Sequence, residues 1–147
     1  MPTLTITRGL PGSGKTTWAR EQLRTVALRS ARLNRDELRR TMHDRFSGAG
    51  WAERQVTVAQ HAAVAALLRA GVDVICDDTN LRPRAVRDFA ALARECGAAF
   101  AIRDFTDVPL ALCIERDARR PAPERVGEAV IRAMHERYLA RRPSGPD

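Results

Sequence analysis

The chain has 147 residues, a formal net charge of +7, 44% hydrophobic and 29% charged residues. That length suits one domain with a sizeable core, and that balance excludes a disordered or low-complexity protein. No apolar run reaches the ~20 residues of a membrane-spanning helix, and the polar start over residues 1–8 does not read as a signal peptide, so a cytoplasmic protein is expected. Cys76, Cys96 and Cys113 are far apart and lack C-x-x-C spacing, which favours buried apolar side chains over a disulfide framework or a zinc site. The positive excess suits a polyanion such as nucleic acid. Lys15 is the single lysine among 25 Lys+Arg residues.

The elements alternate as in an α/β domain. Residues 4–8 (LTITR) predict a strand feeding a glycine loop, followed by a helix over 15–28. A second short strand is expected at 31–33, a helix over 36–43, and a glycine-rich break at 46–50 (FSGAG). The alanine-rich stretch 52–70 predicts a long helix stopped by Gly71. Residues 72–76 (VDVIC) form the strongest strand candidate and end in Asp77-Asp78-Thr79-Asn80. A helix over 83–96 opens with Pro83, a strand covers 98–105, and a further helix begins at 109. After the break ARRPAPER a last helix is expected from 124 to about 141. These segments predict a parallel sheet of about four strands, helices on both faces and ligands at the strands' carboxyl ends. Residues 1–141 are expected to be one domain, and 142–147 a disordered tail.

Gly9-Leu10-Pro11-Gly12-Ser13-Gly14-Lys15-Thr16 fits G-x-x-x-x-G-K-[ST] at every defined position. Glycines let successive backbone N–H groups curl around phosphate oxygens, and the next helix aims its positive end at the same anion. Lys15 can reach the β- and γ-phosphates, the Thr16 hydroxyl can bind Mg²⁺, and Thr17 extends the cradle. The loop therefore binds a nucleoside triphosphate, but does not say what receives the phosphate.

In Asn34-Arg35-Asp36-Glu37-Leu38-Arg39, Asp36 and Arg39 are three apart and share a helix face. A carboxylate there could take the proton of an attacking hydroxyl, and an arginine fork could hold an acceptor phosphate. The competing reading makes Asn34 or Asp36 a helix cap. Asp77 or Asp78 could serve the metal or position an arginine, while an Asx-turn is the alternative for the same stretch. Arg116, Arg119 and Arg120 could neutralise charge from a mobile lid, although on the residues alone a solvated basic loop is the simpler reading. His43, His61 and His135 have no metal-ligand spacing.

RGLPGSGKTTWARE, LNRDELRR, DDTNLRP and RDARR, in this order and at these separations, resemble the 5′-kinase domain of the bacteriophage polynucleotide kinase/phosphatase family. The resemblance spans residues 4 to about 139, and N-R-D-x-x-R combined with D-T-N-L is its specific part. It implies that Lys15 and Thr16 serve the phosphates and Mg²⁺ of ATP, Asp36 is the general base, and Arg39 holds the acceptor's phosphate. It also implies that Asp78, with Thr79 and Asn80, supports the acceptor site, and that Arg120 is a lid arginine reaching the ATP phosphates. Arg116 matches a second lid position, and Asp36 or Asp77 is an added candidate for the metal. The chain departs from the family where Asp77 replaces a small polar residue and Pro121 a glycine, and the family's phosphatase domain is absent, as in a stand-alone kinase or an excised domain. The expected activity is transfer of the γ-phosphate of ATP to the 5′-hydroxyl of a DNA or RNA end. Rivals are a P-loop kinase of a small-molecule hydroxyl and a nucleotide-driven ATPase switch. The pattern leaves the oligomeric state open, a homo-oligomer included.

Overall fold

The computed structural model describes residues 1–25, 29–44 and 49–140. Four strands, β1 (Thr3–Arg8), β2 (Ser30–Leu33), β3 (Asp73–Cys76) and β4 (Ala99–Asp104), form one sheet in the order β2-β3-β1-β4. Every neighbouring pair is parallel, with Leu4 opposite Val74 and Phe100, and Leu33 opposite Cys76. Parallel pairing requires a crossover after each strand. These are supplied by α1 (Lys15–Thr25), by α2 (Arg35–His43) with α3 (Gly50–Arg69), and by α4 (Pro83–Glu95). The chain continues through α5 (Leu110–Ala118), a 3-10 turn (Ala122–Glu124) and α6 (Glu128–Tyr138).

Strand alternation sorts the residues. Leu4 and Ile6 of β1 and Val74 and Cys76 of β3 point to one face, where Val64 and Leu68 of α3 and Phe89 and Ala93 of α4 close over them. A second cluster, Leu10, Leu81, Cys113 and Ile131, seats the glycine loop on α5 and α6. Thus the loop rests on an apolar floor, and the three cysteines are free, two of them buried. No helix among the described residues is long and apolar enough to cross a membrane.

Most expected elements appear within two residues of their predicted bounds, with Pro83 opening α4 and Gly71 following α3 at φ +82°. The expected ends of the 15–28 and 124–141 helices, most of the 46–50 break and the 142–147 tail lie outside the described residues. The last helix is a correction, since it begins at Glu128 and not at 124. Gly127 sits at φ +98°, and the N–H groups of Val126 and Gly127 donate to the Asp117 carboxylate at 3.0 and 2.9 Å. A left-handed residue cannot lie inside a right-handed helix, so the helix starts behind it.

Candidate active site

The loop between β1 and α1 lies at the carboxyl edge of the sheet, where β3 and β4 also end. Gly12 and Gly14 have φ of +80° and +100°, a region open to glycine. A Cβ on Gly12 would lie 2.4 Å from the carbonyl oxygen of Cys113, so the loop approaches α5 as only glycine permits. Lys15 Nζ donates to the Leu10 carbonyl at 2.6 Å and to Ser13 Oγ at 3.3 Å. Burial lowers its pKa to about 8, with Arg120 adding to that and the charge of Asp77 opposing it. This lysine, shielded from water, is a strong donor for an incoming anion. Ser13, Gly14, Thr17, Trp18, Glu21 and Arg116 line a cleft of about 480 Å³ at the loop's mouth.

The two aspartates after β3 have separate partners. Asp77 is buried and takes the Arg32 fork through Nε at 2.9 Å and Nη2 at 2.8 Å, both on Oδ2. Its Oδ1 is buried without a hydrogen-bond partner among the described residues. Asp78 accepts from the Arg35 backbone N–H at 2.8 Å and from Gln60 Nε2 at 2.7 Å. Burial raises its pKa to about 6 against those two hydrogen bonds. Asn80 lies at φ +44° with its amide committed to the Thr7 carbonyl at 2.8 Å, and the Thr79 carbonyl accepts the Gly9 N–H at 3.0 Å. These two residues therefore bind the β3 exit to the glycine loop.

Asn34 is the cap of α2, accepting the Glu37 N–H at 3.0 Å while its own amide donates to the Asp77 carbonyl at 2.6 Å. Capping by Asn34 leaves Asp36 free of that duty. Asp36 is exposed and meets Arg39 Nη1 one turn on. Arg39 also donates from Nε to Glu53 Oε1 at 2.7 Å and from Nη2 to Glu53 Oε2 at 3.0 Å. Burial works against the charge on Arg39, but the bonds to Glu53 and the nearby Asp36 outweigh it and leave its pKa raised.

Arg116 of α5 donates to the Gly12 carbonyl at 3.4 Å. Arg120 lies 3.7 Å from the buried Asp117, and Arg119 pairs outward with Glu115. Asp77 and Asp78 thus lie at the end of β3 and are tied to the start of α2, which carries Asp36 and Arg39, while Arg116 of α5 reaches the glycine loop and the charge of Arg120, just after α5, is felt at Lys15. Sequence reading missed Arg32, Arg35, Glu53 and Gln60, which hold these residues. A signal was present, because Glu53, Thr57 and Gln60 form a polar stripe at i, i+4 and i+7 in an alanine-rich helix.

The chain matches the AAA domain family over residues 4–143. It is similar to a chain of the structure of a Pnkp1/Rnl/Hen1 complex, at 32% identity and a TM-score of 0.72, over 82% of this chain and 40% of that one. A chain of the Pnkp1/Rnl/Hen1 RNA repair complex matches at 26% identity and a TM-score of 0.73, over 97% of this chain and 50% of that one. Kti12 from Chaetomium thermophilum, in complex with ADP-AlF3, shares the fold at 22% identity and a TM-score of 0.68, over 97% of this chain and 83% of that one. The chain therefore spans about half or less of the two Pnkp1/Rnl/Hen1 chains it matches. By sequence and by fold, the chain belongs to the AAA domain family and has the P-loop architecture of a kinase domain.

Proposed function

We propose that residues 1–141 are a kinase domain that moves the γ-phosphate of ATP to the 5′-hydroxyl of a DNA or RNA end. The observation that carries this reading is the meeting of Asp36 and Arg39 on one turn of a helix whose start is bonded to the strand end beside the P-loop. A base for the hydroxyl and a fork for its neighbouring phosphate are then adjacent atoms on one rigid element. The net charge of +7 favours a polyanionic acceptor. The similarity to chains of an RNA repair complex points the same way.

Asp36 takes the proton of the 5′-hydroxyl, which makes the oxygen a better nucleophile for an in-line attack. Arg39 grips the phosphate next to that hydroxyl. Lys15, with Arg120 and Arg116 from a lid, neutralises charge spread over the transferred phosphoryl oxygens. Mg²⁺, when bound, would supply further neutralisation of phosphate charge. Thr16 and Asp77, whose buried Oδ1 has no partner among the described residues, are the groups the chain would offer it, a small set that suits a metal also held by phosphates and water. Asp36, the other carboxylate considered for the metal, is paired with Arg39 and is left for the acceptor.

The test is incubation with γ-labelled ATP, 5′-hydroxyl oligonucleotides, 5′-phosphorylated controls and a metabolite panel. Label on 5′-hydroxyl ends alone is expected. Label on a metabolite would show a small-molecule kinase, and free phosphate alone an ATPase switch.

A further inference from the structure

We infer that Glu53 is a positioning residue for acceptor recognition, fixing the Arg39 guanidinium so that its last two N–H groups face the acceptor's phosphate. The inference rests on the polynucleotide reading and deepens it.

Arginine has five N–H donors in a planar fork. Glu53 engages Nε and one hydrogen of Nη2, and Asp36 engages one hydrogen of Nη1. One hydrogen remains on each terminal nitrogen. We assign Asp36 to the Nη1 hydrogen on the Cδ side, so that the two left over point away from Glu53 as a parallel pair, the arrangement that takes two oxygens of one phosphate. Asp36 sits against the same Nη1, so a phosphate held there lies next to the proposed base.

Glu53 is itself held. Its Oε2 also accepts from Arg35 Nη2 at 2.9 Å, the same nitrogen reaches its carbonyl at 3.1 Å, and Arg35 Nη1 donates to Thr57 Oγ1 at 2.9 Å. The backbone N–H of Arg35 is bound to Asp78. Bonded atoms thus run from Asp78 at the end of β3 through Arg35 and Glu53 to Arg39 and Asp36. The two arginines and two acids around Arg39 balance in charge, so the fork is kept in place without a bound anion, and its rotamer freedom is already lost when substrate arrives. If Glu53 merely pinned α2 to α3, one arginine would be enough. The shared carboxylate instead orients a fork whose open end is left for the phosphate, beside the base.

The experiment uses two 5′-hydroxyl oligonucleotides that differ in the first internucleotide linkage, a phosphodiester or a neutral methylphosphonate. Glu53→Ala is expected to raise KM for the phosphodiester substrate about tenfold or more, with kcat and the KM for ATP within about threefold. On the methylphosphonate substrate the same change is expected to move KM by less than about threefold, since the group that Arg39 holds has lost its charge. Arg39→Ala is expected to copy this pattern, and Glu53→Ala added to it to cost nothing more. Glu53→Gln keeps the size and one acceptor oxygen, so it preserves the comparison if the alanine variant folds poorly, with a smaller rise of the same kind. Equal KM rises on both substrates, a loss confined to kcat, or additive single effects would overturn the Glu53 role alone. No label on either oligonucleotide with the unsubstituted chain would overturn the polynucleotide reading, and this inference with it.

Discussion

Asp78 gives the pH dependence of stability a sign that can be worked out in advance. Its carboxyl is buried, and its pKa stands at about 6 against an ordinary value of 3.8. Between those values the native state binds more protons than the unfolded chain, so stability falls as pH rises. At 1.36 kcal/mol per pKa unit the native-state cost of the ionised group is about 3 kcal/mol at pH 7 and about 0.5 kcal/mol at pH 4. Asp78→Asn removes the titration and keeps the shape. Its carbonyl can accept the Arg35 N–H, and its amide can meet a reoriented Gln60. The variant is therefore expected to gain about 2 kcal/mol on the unsubstituted chain between pH 4 and pH 7. Urea unfolding of both proteins across that range measures the gap. Taking the difference cancels other groups, such as His61, whose burial lowers its pKa and works in the opposite direction. A gap that stays constant with pH, or that widens in favour of the unsubstituted chain, would refute the reasoning.

Gly12→Ala adds left-handed strain and puts a Cβ 2.4 Å from the Cys113 carbonyl, so a loss of at least about 2 kcal/mol and of nucleotide binding is expected in melting and titration experiments. Gly14→Ala, whose Cβ would meet only Arg116 Nη1 at an ordinary 3.8 Å, is expected to cost only the strain of φ +100°. The pKa of Lys15 near 8 means that its contribution to ATP affinity is full below about pH 7 and falls as pH rises through about 8 and the ammonium is lost; Lys15→Met is expected to bind weakly and to lack this fall above pH 7. Asp117→Ala leaves the Val126 and Gly127 N–H groups uncapped and is expected to cost about 2 kcal/mol, with faster proteolysis over residues 119–127.

The P-loop and the alternation of strands and helices were legible in the sequence because each rests on local rules. Glycine tolerance, strand alternation and the proline start of α4 act within a few residues. The start of α6 was misplaced because the element that decides it, Asp117, is nine residues upstream of Val126. The pairing of Arg39 with Glu53 spans 14 residues across a break in the helical pattern, beyond the reach of local rules. The division of labour between Asp77 and Asp78 was equally hidden. It depends on Arg32 and Arg35 arriving from β2 and α2, and the sequence shows only two adjacent carboxylates. Asn80 had the residue type of a ligand contact, yet its amide is used up on the Thr7 carbonyl.

The most direct test of the central claim is single-turnover transfer from γ-labelled ATP to a 5′-hydroxyl oligonucleotide by the unsubstituted chain and by Asp36→Asn, with ATP binding measured on the same samples. Loss of a general base predicts a fall in transfer of about 10²-fold or more, with ATP affinity held within about threefold. Transfer that survives the substitution, or that falls only in step with ATP binding, would contradict the account.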